Sequence, residues 1–182
     1  YNESSGVNIS PTPVVGLVGK IEELYRKPPG FELLEGNRLV LLGPSHIDVG
    51  GSLWSALHGL NSGGLIDVDL ETHKVLADLV RSLVSDGIID GIHDLSAGGL
   101  GVALAEMVAK SKFGITVARI PDALSFFGEG PSRVLVSINS ENVNELLSRA
   151  ESANIPTTRL GLVGGDRFIV KDLIDVPKET ID

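Results

Sequence analysis

The chain has 182 residues, room for one large domain or for one domain plus a piece of another. It contains no cysteine, which excludes disulfides, Cys-ligated zinc, iron–sulfur clusters and a cysteine nucleophile, and makes a reducing compartment the easier home. A net charge of −9, from 15 Lys+Arg against 24 Asp+Glu, opposes sequence-independent binding to nucleic acid, and no apolar run approaches the roughly 18 residues of a membrane span.

Residues 1–13 show no periodicity, and Pro11 and Pro13 favour an extended backbone. The short β-branched run Val14–Glu22 predicts a strand, and residues 24–37, with Pro28, Pro29, Gly30 and Gly36, predict a linker. That first strand is expected to belong to a neighbouring domain. Arg38–Leu42 reads as a continuous apolar strand ended by Gly43-Pro44. Ser52 is placed to cap a short helix carrying Leu53, Trp54, Ala56 and Leu57, and Asp69 to cap a longer one. Val75, Leu76, Leu79, Val80, Leu83 and Val84 form the inward face of the second, and Gly87 ends it.

Ile88–Ile92 predicts a short strand and 97–111 a helix with Leu100, Ala103, Leu104, Met107 and Val108 on one face. Gly114–Ala118 and Ser132–Ile138 read as strands, with a helix capped by Ser140 after them. Thr157–Val163 and Arg167–Lys171 read as a hairpin around Gly164-Gly165-Asp166. The fold class is therefore α+β, a mixed β-sheet flanked by helices and preceded by an orphan strand. Glycine is abundant, 22 residues without a period, as expected of tight loops in a folded domain.

Three segments carry candidate chemistry. His93-Asp94-Leu95-Ser96-Ala97-Gly98-Gly99-Leu100-Gly101 joins a strand to a helix start, where free N–H groups and the helix dipole favour an anion. Asp94 beside a phosphate requires a cation between them, so a phosphate site here implies Mg²⁺ on Asp94. The competing reading is a tight turn with glycines for packing. Gly43–Ser52 is a second Gly-rich turn, with His46 and Asp48, that lines the same cleft or is a surface loop. Phe126–Arg133 is the third. There Arg133 clamps an anion and Glu129 takes a ribose hydroxyl or a metal, or the two pair with each other on the surface.

No P-loop, dinucleotide fingerprint, nucleophile elbow or metal-ligand histidine spacing is present, and His58 and His73 read as ordinary helix residues. The residues alone thus lead to a helix-covered sheet with an anion-binding cleft.

The phrases Tyr1-Asn2-Glu3-Ser4, Pro11-Thr12-Pro13-Val14-Val15-Gly16, His93–Gly101 and Phe127-Gly128-Glu129-x-x-Ser132-Arg133 together resemble the phosphoribosylformylglycinamidine synthase family (synthetase subunit II). Its superfamily also holds aminoimidazole ribonucleotide synthetase, selenophosphate synthetase and thiamine-monophosphate kinase. The Asp-Leu-Ser-Ala-Gly-Gly-Leu phrase is shared across that superfamily; the opening phrases are more particular to the purine enzyme.

The resemblance implies a cytoplasmic, ATP- and Mg²⁺-dependent ligase of purine biosynthesis, of which this chain is a C-terminal part. The parent converts formylglycinamide ribonucleotide to the amidine with ammonia from a glutaminase subunit or domain. Residues 1–24 then correspond to the tail of the second N-terminal-type domain, 25–35 to a linker and 36–182 to the second C-terminal-type domain. A family Gly-Asn-x-Ser stretch and the catalytic histidines would lie before Tyr1, so no catalytic residue is expected here and the fragment is expected to be inactive.

By analogy with the other copy of the domain, Asp94, Ser96, Gly98, Gly99, Gly101, Glu129, Ser132 and Arg133 are expected to line a second nucleotide cleft, with Asp94 on the metal. Gly130-Pro131 departs from that copy's phrase. The remaining domains are the expected partners, or a second copy of this chain on the apolar Val14–Ile21 face. Another superfamily enzyme, or a structural module that binds nothing, stay open as alternatives.

Overall fold

A computed structural model describes residues 3–8, 15–23, 26–44, 47–60, 67–118 and 120–181. A two-residue turn at Ser5-Gly6, both at positive φ, joins strands β1 (Glu3–Ser4) and β2 (Val7–Asn8) in a small hairpin of its own. The strand expected over Val14–Glu22 is not formed among the described residues. Residues 15–23 lie outside any sheet, and Val15, Leu17, Val18 and Ile21 are exposed. β-branched side chains favour an extended backbone, but a strand needs a neighbour to pair with, and none of the described residues supplies one.

The main sheet has seven strands: β3 (Arg38–Leu42), β4 (Gly91–Asp94), β5 (Ile115–Val117), β6 (Val134–Ile138), β7 (Thr157–Val163), β8 (Arg167–Val170) and β9 (Ile174–Pro177). Their order is β4-β6-β3-β7-β5-β8-β9, and every pairing is antiparallel except the parallel β5–β8. Strand β3 is buried on both faces, which is why it reads as an unbroken apolar run. Leu39 and Leu41 point to one core; Val40 and Leu42 point to the other.

The first core lies under α3 (Gly99–Ala109), whose Leu100, Ala103, Leu104, Met107 and Val108 are buried together with Phe126 of the short α4 (Ala123–Phe127). Each large side chain fully buried there stabilises the fold by roughly 1.5–3 kcal/mol of transfer free energy before entropy is counted. The second core lies under α2 (Leu70–Ser85) and α5 (Val143–Ser152), with Leu76, Leu79, Leu83, Leu146 and Ala150 turned inward. α1 (Leu53–Leu57) stands apart and stacks Trp54 on Phe127 with centroids 5.4 Å apart.

The expected caps form. Ser52 Oγ accepts from the Ser55 amide at the start of α1, and Asp69 Oδ1 accepts from the Glu71 and Thr72 amides at the start of α2. At the end of α2, Gly87 takes φ +66°, and Gly87 N and Ile88 N donate to the Val84 and Leu83 carbonyls, a glycine-terminated helix end.

Four expectations are corrected. The strand after α2 is Gly91–Asp94 rather than Ile88–Ile92, because Ile88 is still engaged in closing the helix. The next helix starts at Gly99 rather than 97, its N-cap being Gly98 in the left-handed region. Asn139, not Ser140, supplies the cap before α5, accepting from the Glu141 amide at the head of a short 3₁₀ turn, Ser140–Asn142.

The fourth is topological. β7 and β8 do not form a hairpin, since β5 lies between them, antiparallel to β7 and parallel to β8. The Gly164-Gly165 loop instead clasps Gly114, with Gly164 N donating to Gly114 O (2.9 Å) and Gly114 N to Gly165 O (2.8 Å). The hairpin forms one strand later, between β8 and β9. Part of the expected linker is also fixed to the sheet: Ile92 N donates to Gly30 O (2.7 Å), and Asn37 is buried, its amide donating to Asp90 (2.8 Å) and Ser137 (3.1 Å).

Candidate functional site

The three segments singled out in the sequence converge on the loop between α4 and β6. Asp48 and Glu129 exchange backbone hydrogen bonds (2.8 and 3.0 Å), which holds residues 47–52 against that loop. The Glu129 carboxylate then reaches the starts of two helices. Its Oε1 accepts from Leu53 N and from Gly98 N, each at 2.9 Å. The Gly98 amide at the head of α3, where a phosphate was expected, is thus met by the chain's own carboxylate.

The glycines of this turn serve close packing. Gly99 sits at φ +60°, and a Cβ there would run into the Gly128 carbonyl. At Gly101 it would lie 2.7 Å from the Phe126 ring and 2.8 Å from Phe127. Ser96 is exposed, its carbonyl accepting from the Gly99 amide. Asp48 turns its carboxylate onto the Val49 and Gly50 amides (2.6 and 2.9 Å). His46 lies outside the described residues.

Arg133 behaves differently from Glu129, and no ion pair joins the two among the described residues. Arg133 is only 5% exposed. One Nη donates weakly to Gly128 O at 3.4 Å, and Nε has no partner. Burial pushes its pKa down, yet a guanidinium remains a cation inside proteins. With Asp94, Ser132 and His73 it lines a cavity of about 260 Å³, closed on one side by Leu76, Ala77 and Val80 of α2. Ser132, at φ +58°, meets His73 Nδ1 through its hydroxyl at 3.1 Å.

Asp94 stands at the end of β4 with its carboxylate open to solvent. The preceding His93 is 7% exposed, with Nε2 2.6 Å from Glu106 Oε2 of α3. Phe31 stacks on its ring at 4.2 Å. These contacts anchor the end of β4 from which Asp94 projects.

Of the residues expected to line one cleft, the structure gathers Asp94, Ser132 and Arg133; Gly98 and Glu129 satisfy each other, and Gly99 and Gly101 are packed. His73 was missed. It is itself exposed and lies one turn before Leu76 and Ala77, on the side of α2 that borders the cavity.

Among the described residues no cluster of three or more His, Asp or Glu could hold a metal unaided. A lone carboxylate suits Mg²⁺ that keeps its waters and shares the ligand's phosphates, not a cage built from protein alone. No helix among the described residues is long and apolar enough to cross a membrane.

Comparison with known proteins extends this. The chain is 33% identical to the phosphoribosylformylglycinamidine synthase subunit PurL of Allorhizobium ampelinum, across 100% of this chain and 25% of that protein. To the subunit of the same name from Anaeromyxobacter dehalogenans it is 37% identical, across 100% of this chain and 26% of that protein. It therefore spans about a quarter of the length of these curated relatives. Among solved structures, Thermotoga maritima PurL complexed with ATP superposes with a TM-score of 0.68 at 20% identity, covering 85% of this chain and 27% of that one. This likeness establishes the fold, the mixed sheet with helices on both faces. The model of the AIR synthase related protein, C-terminal domain, matches residues 35–172, the span that holds the seven-stranded sheet up to β8 and every residue of the cleft. By that match the chain belongs to the family of AIR synthase related proteins, as a copy of their C-terminal domain.

Proposed function

We propose that this chain is the C-terminal quarter of a phosphoribosylformylglycinamidine synthase, and that its cleft takes the phosphates of an adenine nucleotide with Mg²⁺. The whole enzyme, in the cytoplasm, uses ATP to convert the amide of formylglycinamide ribonucleotide to an amidine, with ammonia from a glutaminase partner. Residues 1–24 belong to the neighbouring domain of that enzyme, 25–35 lead out of it, and 36–182 form the module described above. The exposed Val15, Leu17, Val18 and Ile21 support this division, since such a run gains by covering its apolar side chains with the parent's other domains or with a second copy.

The observation that carries the nucleotide reading is Arg133, a buried guanidinium with an unpartnered Nε at the edge of a cavity. A buried cation without a counter-charge is costly, and an anionic ligand removes that cost. Asp94 would share a Mg²⁺ with the ligand's phosphates, and Ser132 and His73 would offer hydrogen bonds. The Gly98–Gly101 turn has a structural role in this reading, because Glu129 already occupies its donor.

Calorimetric titration with ADP and Mg²⁺ tests it. Saturable binding is expected, weakened about tenfold or more in Arg133→Met, which loses a charge-assisted contact while keeping the side chain's bulk, and lost in Asp94→Ala. No binding by the chain, or equal binding by both variants with unchanged thermal unfolding, overturns the nucleotide cleft. Amidine formation by this chain alone overturns its placement as a non-catalytic quarter of the enzyme.

A further inference from the structure

The arginines within the helices and strands divide into two groups. Arg81, Arg149 and Arg167 are engaged with carboxylates, Arg149 with both Glu145 (2.8 Å) and Asp86 (2.5 Å). Arg38 and Arg159 have no ion pair among the described residues, in a chain with nine more acidic than basic side chains. They are 121 positions apart in sequence but on adjacent strands.

The β3–β7 ladder slips by one residue between Leu39 and Val40, so that Val40 faces Arg159 while Leu39 faces Gly161. Val40 points to the α2–α5 side, and residues directly opposite across a sheet share a face. Arg38, two residues from Val40, shares that face too. The bulge thus turns both guanidinium-bearing chains to one side of the sheet. There they line a cavity of about 250 Å³ together with Ser140 and Asn144, at the 3₁₀ turn and first turn of α5.

We propose that this cavity is a second anion site, separate from the Arg133 cleft, in which Arg38 and Arg159 hold a phosphate group. Two guanidinium groups match a dianion in charge and offer paired N–H donors to its oxygens. The Ser140 hydroxyl and the Asn144 amide supply neutral donors for the oxygens that remain. The volume suits one phosphate with its water. The occupant is free phosphate or the phosphoryl end of a monoester.

NMR titration of the isotopically labelled chain distinguishes these sources, with inorganic phosphate in one arm and methyl phosphate in the other. Saturable shifts at the amides of Arg38, Ser140, Asn144, Arg159 and Gly161 are expected in at least one arm. Comparable affinity in both arms assigns the site to a phosphoryl end, and binding of inorganic phosphate alone assigns it to the free ion. Arg38→Gln and Arg159→Gln each weaken binding about tenfold or more. Arg159→Lys weakens it less, because charge is kept and the planar fork is lost. Arg149→Gln leaves it unchanged, its cation being already engaged.

Absence of saturable shifts, or equal affinity in the Gln variants whose spectra otherwise match the unmodified chain, overturns the site. Because Arg133 and Asp94 are untouched, loss of ADP binding in the other cleft and loss of phosphate binding here are separate outcomes.

Discussion

Glu129 and Arg133 lie four residues apart in one loop and end in opposite situations. The Glu129 carboxylate accepts from two amides at the heads of α1 and α3, so its charge is compensated within the chain. The Arg133 guanidinium is buried with one weak hydrogen bond and an unpartnered Nε. A glycine-rich helix start is often read as a phosphate seat, but a ligand gains little where a carboxylate already meets the donors. The open valence lies on the side of the cation. In this domain the glycines report packing, and the unsatisfied side chain marks the candidate site.

The sharpest way to break that contrast is at the packed turn. Gly99→Val forces a β-branched side chain to φ +60° and into the Gly128 carbonyl. It is expected to destabilise the fold by about 3 kcal/mol or more. Chemical denaturation measures this, and a loss below about 1 kcal/mol would mean that the turn yields easily and that its glycines are not there for packing.

Glu129→Gln is expected to cost less, about 1–2 kcal/mol, since an amide oxygen still accepts but without charge. The same variant gauges whether the heads of α1 and α3 favour an anion. If it raises affinity for inorganic phosphate at the Gly98 amide, seen as a saturable amide shift, then the carboxylate stands in for a ligand rather than replacing the need for one.

The smallest effect concerns the wall of the cleft. Asp69 caps the helix that brings His73 to Ser132, and its pKa is lowered, first by the Thr72 hydroxyl and then by the Thr72 and Glu71 amides. A carboxyl depressed in the folded state contributes stability above its unfolded value, and that contribution is lost as pH falls through the lower folded value. Asp69→Ala is therefore expected to lower Tm by roughly 2–4 °C at neutral pH. The difference should shrink from about pH 4 downward. Calorimetric scans at pH 7 and across the acid range check both, and a difference that persists undiminished at the lowest pH would show that the cap does not depend on the carboxylate.

Much of the secondary structure was legible because its causes are local. Ser52 and Asp69 cap helices through amides two or three residues away, and Gly87 ends α2 because its own φ is positive. The double-sided burial of β3 was visible as five residues with an apolar run on both faces. The candidate site was legible only in part. Asp94, Ser132 and Arg133 were named and do line one cavity. His73 was passed over because its helix gives no hint of the hydroxyl it meets, 59 positions away, in the loop before β6.

What the sequence by itself determined is therefore four of the five α-helices, α4 not among them, most of the sheet's strands and the faces they bury, since periodicity, caps and glycine conformations act within a few residues. Tertiary structure alone decided who pairs with whom. Nothing local distinguishes a β7–β8 hairpin from β5 inserted between the two; the choice rests on Gly114 exchanging hydrogen bonds with Gly164 and Gly165, some fifty residues on. Nothing local told whether Glu129 and Arg133 would pair with each other. That depended on two helix starts arriving at one carboxylate, and long-range assembly of this kind leaves no period in the chain. The strand expected over Val14–Glu22 makes the same point from the other side: β-branched residues favour an extended backbone, but a strand exists only where a neighbour completes its hydrogen bonds.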